Sequence, residues 1–336
     1  TIVIEEPLSQ NLLLCNALLD MYARCGKLAK AQEVFDDLPI RDVISWNSLI
    51  SGYAHLGRGE DALKCFGKMQ EEGFFPDVIT IICILKACGS LKDMREAQEM
   101  HSAIISTGLE REGHVGNCLI DTYAKCGSLQ DAYQVLTKLP FRDVVSWTAL
   151  LGGYAQQGLG HETLECFKKM QDEGISPDSL TYTCVLKACG LVGSLETGEE
   201  VYGKIKKLNL LKKDIVLGNS LVDMYAKCGK LEKAREVFEQ IPTRNVVCWN
   251  ALISGYVQHE CNTAALHCLE RMQSTVHICP DIITYACVLK ACGSICAKSM
   301  GIEIHSEISR KGLLENDLVL ANSLLDMYAK CGGLHA

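Results

Sequence analysis

The sequence predicts an all-α fold, a solenoid of stacked helical hairpins, on three observations. The first is a long-range period. "CNALLDMYARCGKL" at Cys15 returns as "GNCLIDTYAKCGSL" at Gly116, "GNSLVDMYAKCGKL" at Gly218 and "ANSLLDMYAKCGGL" at Ala321. Its tyrosines Tyr22, Tyr123, Tyr225 and Tyr328 are 101, 102 and 103 residues apart, and Trp46, Trp147 and Trp249 keep the same step. A fixed period across a chain is the mark of a repeat array. The second is helical spacing: Trp46, Leu49, Ile50 and Tyr53 recur at i, i+3, i+4 and i+7, and Ala62, Leu63, Phe66 and Met69 form a second stripe. The third is punctuation. Gly57 and Gly73 stand where left-handed helix ends are needed, and Pro39, Pro76, Pro140, Pro177, Pro242 and Pro280 stop the second helices. No strand pattern competes.

In order along the chain, residues 1–11 read as the tail of a preceding repeat. Nine complete units follow: 12–42, 43–77, 78–112, 113–143, 144–178, 179–214, 215–245, 246–281 and 282–317, with a truncated one at 318–336. Three kinds alternate. The first is 31 residues long, the second 35 or 36, and the third carries "LKAC" at Leu85, Leu186 and Leu289. The twentieth position of each complete unit is small (Ala31, Ala62, Ala97, Ala132, Thr163, Gly198, Ala234, Ala265, Gly301), which lets two helices approach closely. One hairpin cannot bury its apolar face alone, but a stack shares a continuous core, so a single elongated array is expected.

Composition narrows the function. With 33 basic and 41 acidic residues the formal charge is −8, unlike a generally basic nucleic-acid binder, although a local basic stripe remains compatible with it. Thirteen of the 19 cysteines are locked to the repeat, as small buried apolar residues would be. No C-x2-C pair occurs, so no structural zinc and no cofactor is expected, and no run is long enough to cross a membrane. No phosphate loop, nucleophile elbow or acid–base pair marks an enzyme.

The "SWNSLISGYA…ALKCFGKMQEEGFFPD" unit resembles the standard motif of the pentatricopeptide repeat family, and the alternation of unit lengths resembles its plant triplet (PLS) subclass. The expected fold then becomes an all-α, right-handed α-solenoid of stacked helix-turn-helix repeats. The resemblance implies binding of single-stranded RNA, one base per repeat, chosen by the fifth and last residues of each unit. An Asn amide offers both donor and acceptor to a Watson–Crick edge. On that reading Asn16 with Asp42, Asn47 with Asp77, Asn117 with Asp143 and Asn250 with Asp281 imply uracil. Thr148 with Asp178 implies guanine, and Asn219 with Asn245 a pyrimidine, leaning to cytosine. Asn322 favours a pyrimidine. The "LKAC" units, with Ile82 and Glu112, Thr183 and Asp214, and Ala286 and Asp317, read more weakly. The implied target is 5′-UUNUGNYUN-3′.

Second-position residues are expected to sandwich bases: Leu13, Ile44, Ile79, His114, Val145, Leu180, Val216, Val247, Ile283 and Val319. Arg24, Lys125, Lys227 and Lys330, near the ends of first helices, are expected to hold phosphates. Each feature has a plainer reading. The Asn could be a solvated surface residue, the Asp a helix cap, the cation a partner for the helix dipole, and His114 a surface histidine.

The resemblance implies a mitochondrial or chloroplast transcript and guidance of cytidine-to-uridine editing. The P-C-x2-C half of the zinc-deaminase signature does not occur, and the one H-x-E match, His305-Ser306-Glu307, stands without it, so the chemistry would come from a deaminase domain downstream or on a partner, or with editing cofactor proteins. Two other readings stay open: RNA stabilisation or processing, and a protein-binding scaffold like tetratricopeptide arrays. One unit departs from the pattern. Glu260 replaces the Gly of Gly57 and Gly158, and the following helix lacks its usual Gly, which makes Asp281 the least secure reading residue.

Overall fold

The computed structural model describes residues 12–109, 112–275, 278–314 and 317–332. The expected tail at 1–11 and the last four residues of the truncated unit lie outside them. The contacts group the chain into two compact units, 1–157 and 158–336, where the sequence led us to expect one array. Among the described residues there are helices and no strands.

The N-terminal unit holds α1 (Leu12–Arg24), α2 (Leu28–Asp36), α3 (Val43–His55), α4 (Gly59–Glu71), α5 (Val78–Leu91), α6 (Met94–Thr107), α7 (Gly113–Cys126), α8 (Leu129–Lys138) and α9 (Val144–Gln156). The C-terminal unit holds α10 (Gly160–Asp172), α11 (Ser179–Val192), α12 (Leu195–Lys207), a 3-10 turn at Leu210–Lys212, α13 (Ile215–Lys227) and α14 (Leu231–Gln240). It continues with α15 (Val246–Gln258), α16 (Asn262–Ser274), α17 (Ile282–Ser294), α18 (Lys298–Arg310) and α19 (Leu318–Lys330). In each unit the odd-numbered helices pack on one another in a row, α1 on α3 and onward to α9, then α11 on α13 and onward to α19. The even-numbered helices form a second layer against them.

Sequence explains the layers. The odd helices are apolar on most faces because they touch neighbours on both sides, as with the fully buried Leu49 and Ile50 of α3 and Leu252 and Ile253 of α15. The even helices show one apolar stripe and one wet face. Trp46 packs edge-on against Phe35 at 4.6 Å between centroids, and Trp249 against Phe238 at the same distance. The small twentieth-position residues sit at helix crossings. Ala62, Ala132, Thr163 and Ala265 are completely buried, and a Cβ on Gly301 would lie 2.6 Å from the Met327 sulfur.

Turn chemistry follows as well. Gly57 and Gly73 adopt φ of +72° and +82°, which costs an L side chain strain. Glu260, at the corresponding turn, is forced to φ +60°. The repeat-locked cysteines are free thiols, mostly buried, and burial pushes Cys88, Cys166 and Cys189 up to about 12. Cys65, Cys126, Cys228, Cys287 and Cys331 are only half-buried, and Cys25 is exposed, against the buried reading.

Candidate nucleic-acid interface

The last residue of each proposed unit stands at the N-cap of the next odd helix. Asp42, Asp77, Asp143, Asp178 and Asp281 each accept a hydrogen bond from the backbone N–H three residues on, at 2.7–2.9 Å. Asn245 does the same for Cys248 at 3.0 Å. Asp214 and Asp317 cap α13 and α19, while Glu112 makes no side-chain cap. The capping reading of these residues is therefore a fact of the fold. It does not exhaust them, because the side-chain oxygens of Asp42, Asp77, Asp143, Asn245 and Asp281 also accept from fifth-position amides of the preceding odd helices.

Asn16 Nδ2 lies 3.2 and 3.4 Å from the Asp42 oxygens, and Asn47 Nδ2 lies 3.0 Å from both Asp77 oxygens. Asn117 reaches Asp143 at 3.3 Å, Asn219 reaches Asn245 at 3.2 Å, and Asn250 reaches Asp281 at 2.9 and 3.1 Å. The pair at Asp281, flagged in the sequence by its irregular unit, is among the shortest. These five amides are only 6–9% exposed, which removes the solvated-surface reading. Thr148 belongs to the N-terminal unit, where it is 5% exposed; Asp178 belongs to the C-terminal unit, where it caps α11. Asn322 is exposed on α19.

The "LKAC" positions are built differently. Ile82 and Ala286 carry no polar group, and the Thr183 hydroxyl donates to the Ser179 carbonyl of its own helix at 2.9 Å. Asp214 turns its carboxylate to the N–H groups of Val216 and Leu217. No hydrogen bond joins Thr183 to Asp214 among the described residues.

Burial alone would push the Asp42, Asp77 and Asp281 carboxyls up. The backbone N–H of Ser45, Thr80 and Thr284, with the side chains of the facing Asn and of the same Ser or Thr, outweighs it and holds all three below the usual 3.8. These carboxylates are ionised at neutral pH and act as acceptors only.

The second-position residues project from the same layer. Leu13, Ile44, Ile79, Val145, Leu180, Val216, Val247, Ile283 and Val319 are each more than half exposed, an unusual state for branched apolar side chains recurring in register. His114 is exposed at the start of α7. In the C-terminal unit a groove of about 510 Å³ is lined by Thr183, Val216, Asn219, Lys227, Asn245, Val247, Asn250 and Ile283. Three second-position residues, three fifth-position residues and one of the expected cations thus share one concavity. A second groove of about 460 Å³ has Ala286, Val319 and Asn322 in its wall.

The cations were legible only in part. Arg24, Lys125, Lys227 and Lys330 each pair with an aspartate one turn earlier: Asp20 at 2.8 Å, Asp121 at 2.6 Å, Asp223 at 2.7 Å and Asp326 at 2.7 Å. The Asp-x3-Lys/Arg spacing was in the sequence and gives this i,i+4 contact directly. Sequence reasoning also passed over Ser45, Thr80 and Thr284, whose hydroxyls reach the fifth-position amides. Among the described residues no cluster of His, Cys, Asp and Glu is placed to hold a metal ion, and no helix is long and apolar enough to cross a membrane.

A helical-hairpin array in which five units set a buried amide against the capping residue of the next, flanked by exposed aliphatic side chains, defines a class: a modular helical-repeat scaffold. The PPR repeat family model matches residues 41–90, 142–190 and 244–294, and the PPR repeat model matches 14–43, 117–144, 180–210 and 219–246. The chain belongs to the pentatricopeptide repeat family. Among its relatives is a chloroplastic pentatricopeptide repeat-containing protein of Arabidopsis thaliana, 35% identical over 95% of this chain and 36% of its own length. A mitochondrial one from the same plant is 34% identical over 98% of this chain and 48% of its own. The chain therefore spans between about a third and a half of these relatives. The crystal structure of the pentatricopeptide repeat protein PPR10 in complex with an 18-nt psaJ RNA element shares the fold, with a TM-score of 0.78 and 20% identity over 97% of this chain and 49% of that one.

Proposed function

We propose that this chain is a sequence-specific single-stranded RNA-binding array of the plant triplet subclass, nine complete repeats reading one base each, that directs cytidine-to-uridine editing of a chloroplast or mitochondrial transcript. The observation that carries the reading is the recurrent amide–carboxylate pair. At Asn47 one N–H is spent on Asp77 and one oxygen lone pair on Thr80. One donor and one acceptor remain, which is the complement of a pyrimidine Watson–Crick edge. The exposed aliphatic residues beside each amide supply apolar faces against which a base can lie, and the groove of the C-terminal unit brings both kinds together.

Support for the organelle comes from the relatives, several of which carry chloroplastic or mitochondrial names. The PPR10 complex shows that a protein of this fold holds RNA. The target is 5′-UUNUGNYUN-3′, with Asn16 and Asp42 reading its first base. The deaminase belongs to another part of the protein or to a partner.

A gel-shift titration at fixed salt, comparing this RNA with one in which U and G are exchanged, tests the reading. Tight binding to the first alone supports it. Equal, steeply salt-dependent binding to both would reduce the interaction to backbone attraction. No binding to either would favour a protein-binding scaffold.

A further inference from the structure

At three junctions the Asn–Asp pair is closed into a ring by a third side chain from the next helix. The Ser45 hydroxyl lies 2.8 Å from Asn16 Oδ1 and 2.8 Å from Asp42 Oδ1. Thr80 lies 2.6 Å from Asn47 Oδ1 and 2.9 Å from Asp77 Oδ1, and Thr284 lies 2.6 Å from Asn250 Oδ1 and 2.8 Å from Asp281 Oδ1. In each case the hydroxyl oxygen also accepts the N–H of the aspartate. All three hydroxyl residues are completely buried. The capping box at each of these junctions accounts for the hydroxyl as acceptor of the N-cap N–H but makes no use of its contact to the amide oxygen, which calls for another reason.

The remaining junctions supply the contrast. Ser146 turns its hydroxyl to the Asp143 carbonyl at 2.8 Å, and Asn117 keeps a single 3.3 Å bond. At the seventh junction Cys248 stands in place of the hydroxyl, and Asn219 Oδ1 is buried with no hydrogen-bond partner. After the "LKAC" units, where the fifth residue is not Asn, the third residue is Val115, Leu217 or Leu320, each fully buried. Among these units, each junction with an Asn followed by Asp also has a hydroxyl at this place.

We infer that Thr80, with Thr284 and Ser45, is a positioning residue for base choice: its single hydroxyl proton, shared between the amide oxygen and the aspartate and closer to the amide at Thr80 and Thr284, fixes which way round the Asn amide faces the RNA, and so separates uracil from cytosine. The inference rests on the RNA-binding reading above. Uracil presents N3–H as donor and O4 as acceptor, whereas cytosine presents N3 as acceptor and its amino group as donor. The two edges are reversed copies of one another, and a 180° turn of an amide reverses its own donor and acceptor. An amide held one way therefore suits uracil, and one free to turn suits either pyrimidine. Asn219 is in the second state, because Asn245 can meet either orientation and Cys248 gives no hydroxyl.

The test is a set of binding titrations with RNAs carrying U or C at the second position, and separately at the seventh. Thr80→Val keeps the shape and the Thr80 N–H that binds Asp77 but removes the donor, and with it the acceptor of the Asp77 N–H. It should lower the U-over-C ratio at the second base by about three- to tenfold, the range one neutral hydrogen bond spans, with the eighth base unaffected. Thr80→Ser should restore the ratio. Cys248→Thr, which adds a donor, should raise the U-over-C ratio at the seventh base and carries the test if Thr80→Val melts early. A Thr80→Val protein, folded by circular dichroism, with an undiminished ratio would overturn the inference alone, as would an unchanged ratio for Cys248→Thr. An unaltered protein that does not separate U from C at the second base would overturn the RNA reading and this inference with it.

Discussion

The junction of Asn47, Asp77 and Thr80 and the junction of Asn219, Asn245 and Cys248 occupy equivalent places in the repeat and hold their amides in opposite ways. In the first, every polar atom of the ring has a partner and the capping group is a charge. In the second, the capping group is neutral, one bond of 3.2 Å joins the two side chains, and a buried oxygen goes unpaired. The difference teaches that equivalent positions carrying the same Asn hold it with different firmness, the property on which the proposed base choice would turn.

The sharpest break of this comparison is Asp77→Ala. It removes a charged cap and strands the Asn47 amide, so we expect a loss of about 2 kcal/mol of stability. Asn245→Ala, which removes a neutral cap, should cost about half of that, on the order of 1 kcal/mol. Urea titrations of both variants check this, and equal losses would erase the distinction. Next in size, Asn47→Thr with Asp77 kept should move preference at the second base from uracil toward guanine by about tenfold, read in a base-substitution series. Asn245→Asp should sharpen the weaker junction and favour uracil over cytosine at the seventh base by a few-fold, roughly threefold.

Acid gives a smaller effect of known sign. The Asp42, Asp77 and Asp281 carboxyls are held below their ordinary 3.8, so their contribution is complete above that value and is lost as pH falls through their lower folded values. The urea midpoint should drop as pH is taken below about 3.8, and Asp77→Asn should drop less. The smallest effect is expected at Lys227. Its charge is already paired with Asp223, so Lys227→Met should lower the slope of log affinity against log salt by less than about one unit. Asp223→Asn, by freeing the cation, should steepen it.

Much of the fold was legible because a repeat states its rules many times. The helices that begin after Asp42, Asp77 and Asp143 follow from the period and from caps. The reading pairs were legible for the same reason, through Asn at one step and Asp at the next. What stayed hidden was shared between functions. Ser45 and Thr80 look like ordinary first-turn residues, and only coordinates show their hydroxyls reaching an amide about thirty residues back. The lysine stripe was visible as charge, but its neutralisation by Asp121 and Asp223 needed the helical geometry to be taken one turn further. Glu260 looked like a defect in the pattern; the turn instead keeps its left-handed backbone with the wrong residue in it.

The close crossings of the odd helices have a metrical consequence. A Cβ added to Gly52 would lie 2.6 Å from the Ala23 Cβ, one on Gly153 2.6 Å from Ala124, and one on Gly255 2.4 Å from Ala226. Real carbon atoms do not come so near, so these glycines set the distance from one odd helix to the next. On the proposed reading that distance is also the stride between successive reading positions. A polynucleotide has a stride of its own, and a mismatch at one step would be inherited by the next. Each glycine would then be a graduation on a ruler, and a single methyl group there would put its step out of phase with the strand.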